Sequence, residues 1–127
     1  MNKAVLIKQE VINSILTYAK ICYPKESILL LKGRKDKNRI IIDETLIPPL
    51  STHGNSFSSF PLNMLPIDFS IMGTAHSHPS GILKPSTEDL NQFYGQISVI
   101  TAFPYNSERD LAIFTKDGRI ENYKIFE

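Results

Sequence analysis

The sequence predicts an α/β (α+β) fold: one mixed β-sheet flanked by two main helices, in a single domain over residues 1–127. Three observations predict it. One long segment near the start carries apolar residues at three- and four-residue steps, the period of an amphipathic helix. The other apolar segments are short, β-prone and bounded by turn residues. The chain has 127 residues, is 42% hydrophobic and holds one cysteine, so it buries a core of its own with no disulfide framework.

Ala4 to Ile7 is a short β-prone run. From Lys8 to Tyr23, the residues Val11, Ile12, Ile15, Leu16, Ala19, Cys22 and Tyr23 form one apolar stripe, which predicts a helix with Cys22 in the core. Pro24 ends it, because proline disfavours helical geometry in the residue before it. Glu26 to Lys32 contains the continuous apolar run Ile28 to Leu31, the pattern of a strand covered on both faces. Gly33 to Asn38 is a polar turn and Arg39 to Ile47 a second strand, so the pair predicts a hairpin. The basic residues Lys32, Arg34, Lys35, Lys37 and Arg39 around that turn read as its solvated end.

Pro48 to Asp68 differs in composition. It holds four of the eight prolines, with Ser, Thr, Gly and Asn between them. It predicts a long surface segment, functional or disordered, with a brief strand at Ser56 to Phe60 and a surface histidine, His53. Phe69 to His76 is strand-like and Pro79 to Pro85 is a turn-rich loop. Ser86-Thr-Glu-Asp opens a short helix to about Tyr94, with Gly95 as its C′ residue. Ile97 to Phe103, Leu111 to Thr115 and Ile120 to Phe126 predict three more strands, the last two joined by the turn Lys116-Asp117-Gly118.

Lys plus Arg total 14 and Asp plus Glu 13, for a net charge of +1. That argues against a dedicated nucleic-acid binder, whose affinity rests on a basic excess. The longest apolar run is far short of a membrane span, and the first residues are too briefly apolar for a signal peptide. The expectation is a soluble cytoplasmic domain with no membrane and no nucleic-acid partner; its oligomeric state is not legible.

The densest chemical signal is His76-Ser77-His78-Pro79, followed by Ser86 and Asp89. Histidines at i and i+2 project from one side of a strand and can chelate one ion, provided the strand persists to His78. Asp89, in the first turn of the following helix, could swing back to the strand end. Two imidazoles and a carboxylate make a three-ligand set, the pattern of catalytic zinc sites that keep a fourth position for water. With Cys22 the one thiol, a closed thiolate-rich site is excluded. Taken singly, each residue has an ordinary reading: a polar strand end for the histidines, a helix N3 residue favoured by the dipole for Asp89, an N-cap for Ser86. Their combination, with Pro79 and Pro85 shaping the loop, is harder to reach by accident.

His-Ser-His-Pro followed by Ser86 and Asp89 in Ser-x-x-Asp spacing resembles the JAMM (MPN-plus) zinc metalloprotease motif. Upstream, Pro24-Lys-Glu26 leads into the apolar strand that ends at Gly33, similar to the family's Pro-x-Glu element. The resemblance covers nearly the whole chain, with one departure: Ile28 stands where a glycine is common, a difference expected to affect packing rather than chemistry. It implies the cytidine-deaminase-like fold of the family. It also implies one Zn2+ held by His76, His78 and Asp89 with water as fourth ligand. Glu26 would hold the attacking water as general base and then protonate the leaving amine, and Ser86 would donate a hydrogen bond to the oxyanion. Glu26 owes its role to the resemblance alone; a glutamate at a strand start is ordinarily a solvated flank residue. The compact chain looks like the stand-alone archaeal or bacterial members. Their substrates are ubiquitin-like or sulfur-carrier modifier proteins, cut after the C-terminal glycine. The segment Pro48 to Asp68 would border the substrate groove, with Ser56 to Phe60 pairing with an extended tail. Rival readings are a RadC-like protein of unclear biochemical role, a non-catalytic MPN scaffold, and a metal-binding module without hydrolysis.

Overall fold

The computed structural model describes residues 3–48 and 68–127. In chain order they form β1 (Ala4–Lys8), α1 (Gln9–Cys22), β2 (Ile28–Lys35), β3 (Arg39–Leu46), β4 (Ile71–His78), α2 (Thr87–Asn91), β5 (Ile97–Ala102), β6 (Leu111–Phe114), β7 (Ile120–Glu121) and β8 (Tyr123–Phe126), with a 3-10 turn at Glu108–Asp110. His53, the expected strand at Ser56 to Phe60 and its tail-pairing role lie outside the described residues. No helix among the described residues is long and apolar enough to cross a membrane.

All eight strands join one mixed sheet in the order β7-β6-β5-β4-β2-β3-β1-β8. β4 pairs antiparallel with β2 and parallel with β5, so it lies inside the sheet and all eight of its residues are buried. Gly73 permits the approach of β5: a Cβ there would lie 2.0 Å from the Ile97 carbonyl oxygen.

The run Ile120 to Phe126 is not one strand. β7 pairs with β6 at one edge of the sheet and β8 pairs parallel with β1 at the other, with Asn122 alone between them. One intervening residue spans at most about 7 Å. The sheet therefore curls until its two edges meet, and the chain steps from one to the other.

α1 packs its expected stripe, with Val11, Ile12, Ile15 and Ala19 buried, into a core with Val5, Ile7, Leu29, Leu31, Ile42, Ala75 and Val99. At its C-terminal end the stripe comes out of the core: Cys22 is half-buried and Tyr23 is exposed. Burial pushes the Cys22 thiol up, against a hydrogen bond with Tyr18. The opposite face of the sheet carries two smaller clusters, Ile28, Leu30 and Ile71 with Tyr94, and Ile100, Ala112 and Phe114 with Leu83. Ile28, at the position that departs from the family pattern, is thus a core residue. α2 is shorter than expected, ending at Asn91 rather than near Tyr94. The Gln96 amide donates to the Met72 carbonyl at 2.7 Å, so the chain must leave the helix early to reach β5. Gly95 serves the turn into β5, with φ +82°, rather than the helix end. β2 runs past Lys32 to Lys35, with register shifts on either side of Lys32.

Candidate metal centre

β4 is central, and its C-terminal end carries the chemistry. Partners across a sheet share a face, so His76, opposite Ile28 and Ile100, points away from α1 toward the loop and helix of residues 79–95. His78, two residues on, points the same way, and strand geometry does persist to it. Both histidines are buried.

Asp89 reaches this strand end from α2. Its Oδ2 is 2.9 Å from His78 Nε2 and its Oδ1 is 3.8 Å from His76 Nδ1. The reach is fixed by a capping box: the Ser86 amide donates to Asp89 Oδ2 at 2.8 Å, and the Asp89 amide donates to Ser86 Oγ at 3.0 Å. Ser86 is therefore an N-cap, as its type suggests. It is also exposed, and its hydroxyl uses an acceptor lone pair for the cap, which leaves the O–H free to donate among the described residues.

Glu26 is placed by a serine lock. Ser77, on the face opposite the histidines, accepts from the Ser27 amide at 2.7 Å and bonds the Ser27 hydroxyl at 2.9 Å, while its own amide donates to the Ser27 carbonyl at 3.0 Å. This carries the Ile28–His76 register one step further. Glu26 then falls on the same side as Ile28 and the two histidines. It is half-buried, and its negative charge pulls both imidazole pKa values upward.

The two imidazoles nevertheless titrate in opposite directions. Burial drives His76 below its ordinary 6.5, against the charges of Asp89 and Glu26. Burial also acts to lower His78, but the hydrogen bonds to Asp89 and to the Ile82 carbonyl, with the charges of Asp89 and Glu26, outweigh it and raise His78. Burial acts to raise Asp89; the His78 bond, the Ser86 amide and both imidazole charges overcome it and hold the carboxyl at about 2.

The chemistry of this donor set fits a cation. His78 Nδ1 lies 2.9 Å from the Ile82 carbonyl oxygen, which can only accept. Nδ1 must then carry the proton, and a neutral ring turns the Nε2 lone pair toward a carboxylate oxygen. Two acceptors 2.9 Å apart need a cation between or beside them, either a proton or a metal ion. A ligand histidine whose other nitrogen donates to a backbone carbonyl is the usual support for a metal site. Among the described residues no trio of His, Cys, Asp or Glu is spaced to hold an ion as it stands. Two surface grooves among the described residues, about 350 Å3 beside α1 and about 440 Å3 between β6 and β8, do not include these residues.

Residues 8–116 match the prokaryotic homologs of the JAB domain. The chain belongs to this prokaryotic JAB family. A Haloferax volcanii protein named "probable metalloprotease" is 30% identical over 113 residues, covering 83% of this chain and 69% of that protein. The JAB1/MPN domain protein of Archaeoglobus fulgidus superposes with TM-score 0.72 at 32% identity, over 95% of this chain and 98% of that one. A chain described as "JAMM: A Metalloprotease-like Zinc Site in the Proteasome and Signalosome" superposes at 0.71 and 28% identity, over 98% and 100%. The protein is a compact JAMM/MPN member of the metalloprotease type, and the mixed sheet with two helices is the fold of these neighbours.

Within this JAB domain the structure brings His76, His78 and Asp89 into contact, sets Glu26 on their face, and seats Ser86 on the cap that holds Asp89. Sequence reasoning missed the Ser27–Ser77 lock and the Ile82 carbonyl behind His78. The serine alternating with the two histidines was the available signal for the lock. An aromatic cluster of Tyr23, Phe103 and Tyr105 was also missed. Its signal was Phe103-Pro-Tyr105 at a strand end, where turn residues are the rule.

Proposed function

We propose that this JAB-family protein is a zinc-dependent peptidase or isopeptidase that hydrolyses the bond after the C-terminal glycine of ubiquitin-like or sulfur-carrier modifier proteins. The observation that carries the reading is the buried His76–Asp89–His78 contact with Glu26 on the same face. The names of the Haloferax protein and of the JAMM neighbour support the metalloprotease part.

In this reading His76, His78 and Asp89 hold one zinc ion, which supplies Lewis acidity and a water acidic enough to react near neutral pH. Glu26 accepts the proton of the attacking water as its oxygen bonds to the glycine carbonyl carbon. The C–N bond then breaks, and Glu26 returns the proton to the departing nitrogen, leaving a free carboxyl terminus and an amine. Ser86, with its O–H free, donates to the carbonyl oxygen as charge builds on it. The Ile82 carbonyl and the capping box hold His78 and Asp89 in place, so neither has to reorganise during the reaction.

The test is Glu26→Gln beside the unchanged protein, with zinc content measured and with lysine-linked conjugates and linear fusions of ubiquitin-like modifiers as substrates. The variant should fold and bind zinc as before and lose about 10²- to 10⁴-fold in rate. Cleavage by the unchanged protein should stop with a chelator and return with zinc. Full activity in the variant, or cleavage indifferent to the chelator, sinks the mechanism.

A further inference from the structure

Across the sheet from the two histidines lies a buried polar patch that the proposed reaction does not use. Alternate residues of a strand share a face. Leu29, Ala75 and Val99 pack in the core of α1, and two residues further along their strands stand Ser27, Ser77 and Thr101, all buried. The same alternation carries Phe103 to this face. Tyr105 closes the patch just past the end of β5: it is 1% exposed, and its amide donates to the Ala102 carbonyl at 3.0 Å. It meets Phe103 edge-on with ring centroids 5.8 Å apart, and Tyr23, at the end of α1, stacks on Phe103 at 4.6 Å.

Tyr105 is costly to keep there. It has φ +60°, a left-handed conformation rare for an aromatic residue. Its buried hydroxyl has no hydrogen-bond partner among the described residues. Such features persist where the surroundings over-determine them, and they cluster at functional sites. The position that the hydroxyl lacks is found on Ser77. A serine hydroxyl gives one proton and offers two lone pairs. Ser77 Oγ accepts from the Ser27 amide at 2.7 Å and bonds the Ser27 hydroxyl at 2.9 Å. Whichever serine donates in that second bond, one position on Ser77 is left, and a tyrosine hydroxyl, able to give or to accept, is complementary to it. Burial raises the Tyr105 phenol, and Ser77 acts against that rise.

The ring of Tyr105 backs the other end of the same stretch of chain. Its centroid is 6.4 Å from that of Tyr23, edge-on. The Tyr23 amide still donates to the Ala19 carbonyl at 3.0 Å, and the Lys25 amide donates to the Cys22 carbonyl at 2.9 Å as the chain turns out of α1. The short span that carries Glu26 is therefore pinned at both ends, at Tyr23 by ring packing and at Ser27 by Ser77. Tyr105 stands behind both pins.

We propose that Tyr105 is a positioning residue for Glu26: its ring backs Tyr23 and its hydroxyl completes the bonding of Ser77, so that the span between them keeps Glu26 on the histidines' side of the sheet. The inference rests on the peptidase reading, in which Glu26 moves the proton. Tyr105 takes no part in bond making or breaking and stays on the far face of the sheet. Its hydroxyl acts through Ser77 and the Ser27 amide, and only the set of the backbone passes to Glu26.

The test uses the zinc-loaded full chain with a lysine-linked conjugate of a ubiquitin-like modifier. Tyr105→Phe, which keeps the ring, should lower kcat about tenfold and Ser77→Ala about a hundredfold, the scale of a small misplacement of a catalytic group, with KM and zinc content within about twofold. Ser77→Thr, which keeps a hydroxyl, should recover most of the loss. In the Ser77→Ala background, Tyr105→Phe should cost nothing further, because its effect passes through Ser77. In metal-free protein, the Ser27 amide should exchange its hydrogen about tenfold faster in Tyr105→Phe, with the Leu30 amide in the middle of β2 unchanged. Losses that multiply in the double variant, an unchanged kcat in Tyr105→Phe, or an unchanged Ser27 amide overturn the proposal. If the unchanged protein does not cut the conjugate, the peptidase reading fails, and exchange at Ser27 alone then upholds or overturns the hold of Tyr105 on this span.

Discussion

Two loops of this protein are organised by an aspartate, and only one of them is a site. In the β2–β3 turn, Asp36 accepts from the amides of Asn38 at 2.9 Å and Arg39 at 2.8 Å and pairs with the Arg39 guanidinium at 2.9 Å. Where the β4–α2 loop enters α2, Asp89 accepts from the Ser86 amide and meets His78 and His76. Both carboxyls lie below their ordinary value, Asp36 through the Asn38 amide first and Arg39 next, Asp89 through His78 against the opposing effect of burial. The difference is in reach and burial. The partners of the Asp36 carboxylate among the described residues lie within three residues and the turn is exposed, and the one distant contact, Lys3 Nζ donating at 2.8 Å, goes to its backbone carbonyl, so the carboxylate is locally satisfied and chemically finished. Asp89 is 6% exposed and gathers two imidazoles from another element. A turn closes on itself, whereas a site leaves a buried acceptor pair that needs a cation.

Removing each carboxylate breaks the comparison most severely. Asp89→Ala takes the partner from a buried charged pair, a change that costs about 3–5 kcal/mol. It also leaves Ser86 without its reciprocal bond. Denaturant unfolding should show a loss of that size, and metal analysis should find no bound zinc. Asp36→Ala should keep its zinc and shift the unfolding midpoint far less, since an exposed ion pair is screened by water. Equal losses would mean that the His78–Asp89 contact is one more surface pair.

A smaller effect sharpens the comparison at Ser86, which is both a cap and, in the proposed mechanism, an oxyanion donor. Ser86→Ala should cost about 1 kcal/mol of stability, and Ser86→Gly only a few tenths, because glycine is tolerated at an N-cap. If the hydroxyl also donates in the reaction, both variants should lose about 10²- to 10³-fold in kcat regardless of that difference. A rate that follows stability, with glycine close to serine, would leave Ser86 a cap alone.

The same contrast between local and distant partners marks what was legible in the sequence. The stripe of α1, the hairpin and the strand carrying His-x-His are local periodicities, and all three form, with their ends moved: Cys22 and Tyr23 leave the core, β2 runs on to Lys35, and β4 spans Ile71–His78. His76, His78 and Asp89 could be paired beforehand because Ser-x-x-Asp announces a helix start and the loop before it is short. The division of Ile120 to Phe126 could not be seen, since its pattern is one continuous alternation. Closure of the sheet decides which half pairs with β6 and which with β1. The end of α2 is likewise set from outside, by the bond from Gln96 to Met72. Glu26 was legible through resemblance alone, because what places it is Ser77, fifty residues away in the chain. Phe103 and Tyr105 stand two apart in the chain, but no local pattern links them to Tyr23.

The mildest test separates the two aspartates by pH in chelated, metal-free protein. Asp89 sits at about 2 in the fold against an ordinary 3.8, so its contribution is present above about 3.8 and lost as pH falls toward 2. His78 is raised above its ordinary 6.5, so its contribution is full below 6.5 and lost as pH rises through the raised value. His76 runs the other way: burial lowers its pKa, so the fold resists its protonation and loses stability as pH drops below 6.5. That term is common to the unchanged protein and an Asp36 variant, and it largely cancels in differences. The stability difference between the unchanged protein and Asp89→Asn should therefore be greatest between about pH 4 and pH 6.5 and shrink on both sides. For Asp36→Asn it should shrink on the acid side only, because Arg39 does not titrate in this range. Unfolding curves across pH 3 to 9 check both shapes, and an Asp89 profile with no alkaline limb would mean that His78 is not the proton-bearing partner.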